Sequence, residues 1–280
     1  EQYFLEEARF GYDQKTHKIE VGKPIGQFYG YKTLGLYQVE DFDYNAKDQT
    51  YTLKEGIPYM SGTFNRSDIR PGMWKFDDRN GDKVIDDSDM TVIGNANPDF
   101  YGGLNNQFKY KGWDFSFFFT FSYGGEVLNA TKLTNTKTAT TNYSVLNIAN
   151  SSNRWMTVNS EGQLITDPEE MAAINAGRTV ACIYDMEMGD KYIHSWAVED
   201  ASYLRLSNLS LGYTFDRKKL RKFNVQSLRL YFTGSNLFVW TPYSGFDPEV
   251  STKGNSLTPG VDYGAYPRNR SYVFGLNITF

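Results

Sequence analysis

Hydrophobic and polar side chains alternate along several segments of the chain, most clearly in its last eleven residues. One parity carries apolar side chains and the other carries mostly small or polar ones: Tyr272, Phe274, Leu276, Ile278 and Phe280 against Ser271, Val273, Gly275, Asn277 and Thr279. Because successive side chains of a β-strand point to opposite faces, this pattern predicts a strand with one apolar face. Such a strand is a sticky edge unless it pairs with another strand and meets apolar surroundings.

A second segment, from Trp113 to Tyr123, repeats the pattern with aromatic side chains. Every odd position is aromatic, and the even positions are polar apart from Phe118. A tilted strand crosses the hydrocarbon core of a membrane in about 9–11 residues, which is the length of this segment. Trp113 and Tyr123 stand at its two ends, where membrane barrels carry aromatic girdles. We therefore predict a membrane-spanning strand; a strand of a soluble β-sandwich with an aromatic core face is the alternative.

Further strands follow from the same alternation. Residues 100–110 are predicted to form a hairpin with 113–123 through a Lys111-Gly112 turn. Leucines change parity near Ser207-Asn208 within the segment 202–215, which predicts either a β-bulge or a change of environment partway along the strand. With the segment 227–237 and the terminal strand, we count about eight to ten strands at the spacing of an up-and-down antiparallel barrel.

Two polar stretches interrupt this pattern. Residues 77–89 form an acidic loop, and residues from about 124 to 192 are predicted to form a long extracellular loop, because barrels have long external loops and short periplasmic turns. Within the long loop, Asp167 as N-cap, Pro168 at the first position and Gly177 after the end predict a short helix over 168–176.

Composition narrows the class of protein. Aromatic residues make up 16% of the chain, yet its mean hydropathy is −0.54. A barrel wall has this character because half of each strand faces water, but a carbohydrate-binding β-protein has it too. The net charge of −4 argues against a nucleic-acid partner. His17 and His194 stand in no triad-like or metal-binding pattern, and we predict that the chain is not an enzyme.

The acidic loop contains a candidate calcium site. Oxygen-bearing groups recur at the spacing of a twelve-residue calcium loop: Asp78, Asn80, Asp82, the carbonyl of Val84, Asp86 and Asp89. Two departures weaken the match, since Lys83 replaces the usual glycine at position 6 and Asp89 replaces a bidentate glutamate at position 12. The alternative is a loop of Asx-turns that needs no ion.

Seven short segments together resemble the SusC/RagA family of TonB-dependent outer-membrane transporters of the Bacteroidetes. In chain order they are Gly22-Lys-Pro-Ile-Gly-Gln-Phe-Tyr-Gly-Tyr-Lys32, Asp78-Arg-Asn-Gly-Asp82 through Asp89, Val92-Ile-Gly-Asn-Ala-Asn-Pro-Asp-Phe100, Asn153-Arg-Trp155, Ser202-Tyr-Leu-Arg-Leu-Ser-Asn-Leu-Ser-Leu-Gly-Tyr213, Gly234-Ser-Asn-Leu-Phe238 and Gly245-Phe-Asp-Pro-Glu249. The series ends on the terminal Phe280. Lys83 is the departure, because the family usually has glycine there.

The resemblance implies an all-β protein: residues 1–280 would be the C-terminal part, about half of the wall, of a barrel of the 22-stranded class closed by a plug. It also implies import of oligosaccharides or peptides across the bacterial outer membrane. The partners would be a SusD-like lipoprotein, outer-membrane lipid, and the N-terminal barrel and plug segment that the 280 residues lack. TonB would act through that missing segment.

Two other functions stay open at this point. A secreted carbohydrate-binding β-sandwich with a structural calcium would explain the aromatic content, and a glycan-active enzyme on a β scaffold is a third hypothesis. For the transporter, aromatic residues outside the strands are candidates to stack on sugar rings: Tyr143, Trp155, Trp240 and Tyr243. Their alternative role is packing within loops or contact with the lipoprotein.

Overall fold

Strands dominate the chain, with a few short helices between them. The computed structural model describes the backbone of residues 2–6 and, with side chains, residues 15–136, 145–183, 192–252 and 256–280. The strands are β1 Gln2–Glu6, β2 Lys15–Glu20, β3 Gln27–Gly30, β4 Thr33–Leu36, β5 Phe42–Asn45, β6 Thr50–Leu53, β7 Trp74–Phe76, β8 Thr91–Asn95, β9 Phe100–Tyr110, β10 Trp113–Tyr123, β11 Glu126–Asn129, β12 Val198–Asp200, β13 Tyr203–Thr214, β14 Ser227–Trp240, β15 Val261–Asp262 and β16 Ser271–Thr279. The helices are α1 Ala130–Asn135, α2 Pro168–Asn175 and α3 Arg217–Leu220.

The described residues fall into two units, which are treated separately below. Unit 1 comprises the described parts of 1–96, 128–198 and 251–263, and unit 2 comprises those of 97–127, 199–250 and 264–280. Among the described residues, no helix combines the length and the apolar character needed to cross a membrane.

Unit 2 contains a sheet of five long strands in the order β16-β14-β13-β10-β9, and every neighbouring pair is antiparallel. Strands β9 and β10 form the predicted hairpin. Lys111 and Gly112 join them with φ of 46° and 91°. Positive φ at both central residues gives a turn whose twist matches that of the flanking strands. The hairpin and its turn are therefore confirmed.

The predicted bulge is also confirmed. Ser207 has no partner position in the ladder: Leu206 pairs with Phe119 and Asn208 with Phe118, so two consecutive residues of β10 face three of β13. One extra residue on one strand returns the following side chains to the original face, because the side-chain period is two. This is why the leucines of β13 change parity in the sequence while they stay on one face of the sheet.

The expectation of eight to ten barrel strands is wrong for the described part of the chain, in which five long strands form a single sheet within unit 2. The remaining strands have two to six residues. Such strands are shorter than the about 9–11 residues that a membrane crossing needs. Alternation over so few residues does not distinguish a short strand from one that crosses a membrane.

Unit 1 is built from small sheets around buried aromatic side chains. Its sheets are β1-β2-β3-β8, β4-β7 and β5-β6, and β11 pairs with β15 in parallel. One apolar cluster includes the buried residues Tyr37, Leu53, Ile69, Trp74 and Trp155. A second cluster includes Phe28, Leu128, Ala130, Ile193 and Val261. The segment 40–72 combines the short strands β5 and β6 with loops.

The polar segment 124–192 is predicted to be a long loop, but it contains helices and a buried aromatic side chain. Its described residues include α1, α2 and the buried Trp155. Helix α2 begins after Asp167, whose Oδ1 accepts a hydrogen bond from the Glu170 N–H at 2.9 Å. Pro168 occupies the first turn and the helix ends at Asn175. The predicted helix at 168–176 is confirmed.

Candidate functional site

The sheet of unit 2 has one continuous apolar face. Strand register brings the apolar parities of all five strands to the same side, because directly paired residues share a face. Phe115 stands opposite Phe108 on β9 and Leu211 on β13. Across the next two strands, Leu211 pairs with Phe232 and Phe232 pairs with Phe274. The rings of Phe232 and Phe274 lie 5.0 Å apart between centroids.

This apolar face is exposed. Phe274 is 81% exposed and Leu276 is 60% exposed, and neither Phe115 nor Phe117 belongs to the buried core. A soluble β-sandwich would bury such a face against a second sheet. The alternative of an aromatic strand packed inside a self-contained core is therefore not what the described residues show.

Aromatic side chains mark both ends of this face. At the end with the tight turn, Trp113 packs on Tyr213 with ring centroids 4.7 Å apart, and Tyr110 pairs directly with Trp113. At the opposite end, the Phe100 and Tyr123 rings stack at 5.1 Å. Aromatic rings at both ends of an apolar band are the arrangement that membrane barrels place at the two interfaces.

The other face of the same sheet is polar, and its hydroxyl groups bond to one another across strands. Thr120 and Ser207 approach to 2.8 Å between hydroxyl oxygens, and Ser210 and Thr233 to 3.4 Å. Ser235 donates to Asn208 Oδ1 at 3.1 Å. The two faces of the sheet thus differ in chemistry along its whole width.

An ion pair on the polar face spans three strands. Arg229 on β14 donates to Asp114 on β10 with an Nη2–Oδ2 distance of 2.7 Å. Gly212 on β13 lies between them, and a Cβ there would come within 2.6 Å of the carboxylate of Asp114. Glycine at position 212 therefore makes room for the ion pair.

A second charged cluster joins the sheet to the segment that follows β14. The Arg205 side chain is almost fully buried, with Nη2 at 2.6 Å from Asp247 Oδ1 and Nε at 2.9 Å from Glu249 Oε2. Arg268 reaches the same Glu249 oxygen at 3.0 Å. Sequence reasoning missed this cluster. Its signal was present, because Arg205 and the Asp247-Pro-Glu249 run lie in two of the seven family-like segments.

The acidic loop is closed by its own backbone amides. Side-chain oxygens accept hydrogen bonds from N–H groups two to five residues ahead: Asp78 from Gly81 (2.8 Å) and Lys83 (2.9 Å), Asn80 from Asp82 (2.9 Å), Asp82 from Val84 (2.8 Å) and Asp86 from Ser88 (2.8 Å). The Ser88 hydrogen bonds also lower the pKa of Asp86. These contacts are the Asx-turns of the alternative hypothesis.

Asp89 closes the loop from inside. It is fully buried, and its two oxygens accept from the Arg79 N–H at 2.8 Å and the Asp86 N–H at 3.0 Å. Among the described side chains, no group of three or more His, Cys, Asp or Glu residues is arranged to hold a metal ion. Calcium binding at this loop stays a prediction.

Lys83 adopts a left-handed backbone conformation with φ of 69°. Glycine enters that region without steric cost, whereas a residue with a Cβ is disfavoured by about 1–2 kcal/mol. This conformation gives a physical reason why a glycine suits position 83, and Lys83 occupies it under strain.

The four predicted substrate-binding aromatics do not come together as one exposed site. Trp155 is 2% exposed and lies in the core of unit 1, and buried Tyr243 packs with Val127 and Ala201 in unit 2. Trp240 lies within β14 on the apolar face, opposite Leu204. Tyr143 lies outside the described residues. Burial leaves neither Trp155 nor Tyr243 a free ring face for a sugar, so those two assignments are corrected.

Unit 1 contains a cleft that sequence reasoning did not find. It has a volume of about 470 Å³ and is bordered by β6, by the segment 68–71 and by residues around α2. Its walls come from positions more than 100 residues apart in the sequence, from Tyr51 to Met171. No local pattern reports such a cleft, because it forms only when distant segments pack.

Comparison with known proteins gives a consistent result. The chain is 34% identical to TonB-dependent receptor P3 of Formosa agariphila over 272 residues, which is 95% of this chain and 23% of that protein. It is 31% identical to TonB-dependent receptor P39 of the same organism over 96% of this chain and 26% of that protein. It is 30% identical to TonB-dependent receptor SusC of Bacteroides thetaiotaomicron over 73% of this chain and 17% of that protein. No family model matches the chain.

Solved structures show the same fold. The RagAB peptide importer in its closed-closed state aligns over all of this chain and 25% of its own, with a TM-score of 0.59 and 19% identity. The RagAB peptide transporter aligns over all of this chain and 24% of its own, with a TM-score of 0.57 and 18% identity. The resemblance seen in seven short segments thus extends over the length of the chain.

Proposed function

The chain belongs to the TonB-dependent receptors, and from this membership we propose that it forms a section of the barrel wall of an outer-membrane importer, with loops attached. TonB-dependent receptors are proteins of the bacterial outer membrane. The chain spans about a quarter of the length of the curated receptors P3 and P39. The activity, substrates and partners that follow are therefore proposed for the whole receptor.

The exposed apolar face of the five-stranded sheet carries this proposal. Strands β9 and β10 have 11 residues each. At about 3.4 Å per residue and a tilt of about 45°, such strands cover the roughly 25 Å apolar band of a membrane barrel. The apolar face would meet lipid, and the polar face with its hydroxyl ladder and ion pair would line the aqueous interior.

Connection lengths suggest which end of the sheet faces the periplasm. The turn at Lys111-Gly112 and the end of β16 lie at one end of the sheet, while the long segments after β10 and β14 leave from the other. Barrels of this class have short periplasmic turns and long external loops. We propose that the segment 124–192, which follows β10, is extracellular. The resemblance to the family supports the proposal that the chain lies in the C-terminal part of the receptor.

The five long strands make a smaller section of the wall than the half expected from the sequence. A barrel of the 22-stranded class needs further strands and a plug to close its lumen. We propose that the rest of the same receptor supplies both, including the segment that contacts TonB. We further propose that a SusD-like surface lipoprotein captures the substrate.

We propose oligosaccharides or peptides as the substrates. The RagAB peptide importer, which is similar to this chain in structure, supports the peptide class, and the resemblance to the SusC/RagA family implies oligosaccharides as the other. We propose no catalytic activity, because the named relatives are receptors and importers. The secreted β-sandwich receives no support from a sheet with an exposed apolar face.

Uptake by intact cells tests the proposal. A strain that lacks the whole receptor gene should lose uptake of fluorescently labelled oligosaccharides or peptides, and a plasmid copy should restore it. Removal of TonB should abolish the same uptake, because the proposed transport is energised from the inner membrane. Uptake that is unchanged after both deletions, for every labelled compound taken up by the parent strain, would refute the importer function.

A further inference from the structure

The cleft of unit 1 combines an apolar interior with a charged rim. Its volume of about 470 Å³ lies within the range of small-molecule sites. Tyr51, Pro71, Leu164, Ile165 and Met171 contribute apolar surface to its walls. Leu164 is 64% exposed, whereas Ile165 and Met171 are buried, so the cleft has an open side and a closed, apolar floor.

The aromatic wall of the cleft is held in place by its neighbours. The Tyr51 ring lies 4.9 Å from the Tyr44 ring and 6.2 Å from the Phe42 ring between centroids. Its hydroxyl donates to the Thr166 carbonyl at 3.3 Å. Burial raises the pKa of Tyr51 to about 12, so the side chain is neutral at physiological pH. A ligand therefore meets a fixed, uncharged ring.

Two opposite charges stand at the rim. Arg70 Nη1 donates to the carbonyls of Ile69, at 3.1 Å, and Ser67, and these bonds orient the guanidinium. The guanidinium has further donors on Nε and Nη2. Asp68 Oδ2 accepts two hydrogen bonds from Asn65, which lower the pKa of Asp68 and keep it ionised. The rim thus offers a cation and an anion two residues apart.

This combination distinguishes between the two proposed substrate classes. Gln49, Thr50, Thr157 and Thr166 also line the cleft, but the buried floor of Ile165 and Met171 offers no hydrogen-bonding side chain. A sugar ring held against that floor would bury hydroxyl groups without partners, which is costly. An aliphatic or aromatic side chain loses nothing there and gains from leaving water. Peptides also carry both a carboxylate and an amino group, which complement Arg70 and Asp68 at the rim.

We propose that this cleft binds a short peptide, with one apolar side chain packed between the exposed Leu164 and the floor of Ile165 and Met171, and a carboxylate at Arg70. The inference rests on the proposed import function and narrows its substrate class to peptides. It also assigns a binding role to residues that neither the family-like segments nor the predicted aromatics include.

Calorimetric titration of the purified whole receptor in detergent tests the cleft directly. The probes are the tripeptides Gly-Phe-Gly, Gly-Leu-Gly and Gly-Ser-Gly, with maltotriose as the glycan. We expect the Phe and Leu peptides to bind at least tenfold more tightly than the Ser peptide, since only they fill the apolar floor. Maltotriose should not compete with them.

Two variants locate the binding, each at an exposed side chain so that folding is preserved. Leu164→Ser should weaken Gly-Phe-Gly about fivefold, and Arg70→Gln should weaken it by a similar factor. Leu34→Ser is the matched control, because Leu34 is also an exposed leucine of unit 1 and lies outside this cleft. It should leave the affinity unchanged.

Four results would contradict the cleft proposal. Equal affinity for the Ser and Phe peptides, no binding of any peptide, displacement by maltotriose, or wild-type affinity in both variants would overturn the cleft proposal. None of these results bears on uptake by cells, which tests the import function separately. A receptor that binds Gly-Phe-Gly at this cleft without TonB-dependent uptake would refute import and leave the binding site standing.

Discussion

A single glycine sets the packing around the buried Trp155. Gly72 has φ of +88°, and a Cβ at that position would lie 2.3 Å from Cγ of the Trp155 ring. We expect Gly72→Ala to destabilise unit 1 by about 2–4 kcal/mol, from the left-handed backbone and the steric overlap together. Tryptophan fluorescence during a urea titration of the purified receptor measures the change.

The control for this substitution is Gly22→Ala. Gly22 has a similar φ of +82°, but no atom lies within 4 Å of its would-be Cβ. Only the backbone cost of about 1–2 kcal/mol should remain. Equal losses for the two variants would show that the contact with Trp155 contributes nothing.

The acidic loop gives a second prediction at the level of single residues. Its carboxylates are already paired with backbone amides, and those of Asp78 and Asp89 each accept two. We therefore expect that EDTA or added calcium leaves the unfolding temperature of the receptor unchanged, by differential scanning calorimetry. A rise of several degrees with calcium, reversed by EDTA, would favour the ion predicted from the twelve-residue spacing.

Local residue chemistry was predictable where it depends on near neighbours. The Lys111-Gly112 turn, the Asp167 cap and the bulge at Ser207 all follow from positions within a few residues. The burial of Trp155 and Tyr243 was not predictable, because it depends on segments far away in the sequence. The sequence around an aromatic residue in a polar stretch is the same whether its ring packs over a glycine or faces a ligand.

An arginine introduced on one face of β10 should destabilise the receptor, whereas an arginine on the other face should be tolerated. Phe117 lies on the apolar face and Ser116 on the polar face, near the middle of the same strand. Phe117→Arg should destabilise the wall by about 2–4 kcal/mol in the membrane, whereas Ser116→Arg should be tolerated. The fraction of receptor that migrates as a folded barrel in unheated SDS gels measures this. Equal loss in both variants would contradict the assignment of the faces.

The Arg205 cluster connects β13 to the segment after β14. Arg205→Ala would leave the nearly buried Asp247 and the partly buried Glu249 without their shared cation, at a cost of about 3–5 kcal/mol. Proteolysis within residues 241–250 should become faster as that segment loosens. Arg268→Ala is the control: Arg268 is 48% exposed, and its pair with Glu249 should contribute about 1 kcal/mol or less.

Long strands were predictable as elements, and short ones were not. Eleven residues of alternation in β10, broken only at Phe118, indicate a strand, whereas four residues such as those of β5 or β6 alternate by chance in many loops. This difference explains why the hairpin and the terminal strand are confirmed while the strand count was too high. The cleft between β6 and α2 belongs to the same class of long-range features.

For the molecule as a whole, the exposed face and the sheet ends predict its behaviour in water. In the described part of the chain, β9 and β16 each pair on one side, at the ends of the sheet. The 280-residue polypeptide expressed alone should therefore aggregate in buffer and stay dispersed in detergent, by size-exclusion chromatography. A monodisperse product without detergent would favour the secreted β-sandwich.

The all-β fold class was predictable from the sequence. Hydrophobic and polar side chains that alternate over many residues indicate strands whose two faces meet different environments, one apolar and one polar. The division into two units was not, since it depends on how 128–198 and 251–263 pack with the first 96 residues. No local sequence pattern predicts packing between segments so far apart in the chain.

Because β13 has one extra residue at Ser207, the face on which each of its side chains lies depends on the exact number of residues in the strand. Exchanging one residue of β13 alters one side chain. Loss of the codon for Ser207 would remove the bulge and leave the leucines in unbroken alternation on the apolar face, whereas loss of the codon for Ser210 would turn the residues beyond it to the opposite face. A variant that lacks Ser210 should therefore be more harmful than one that lacks Ser207.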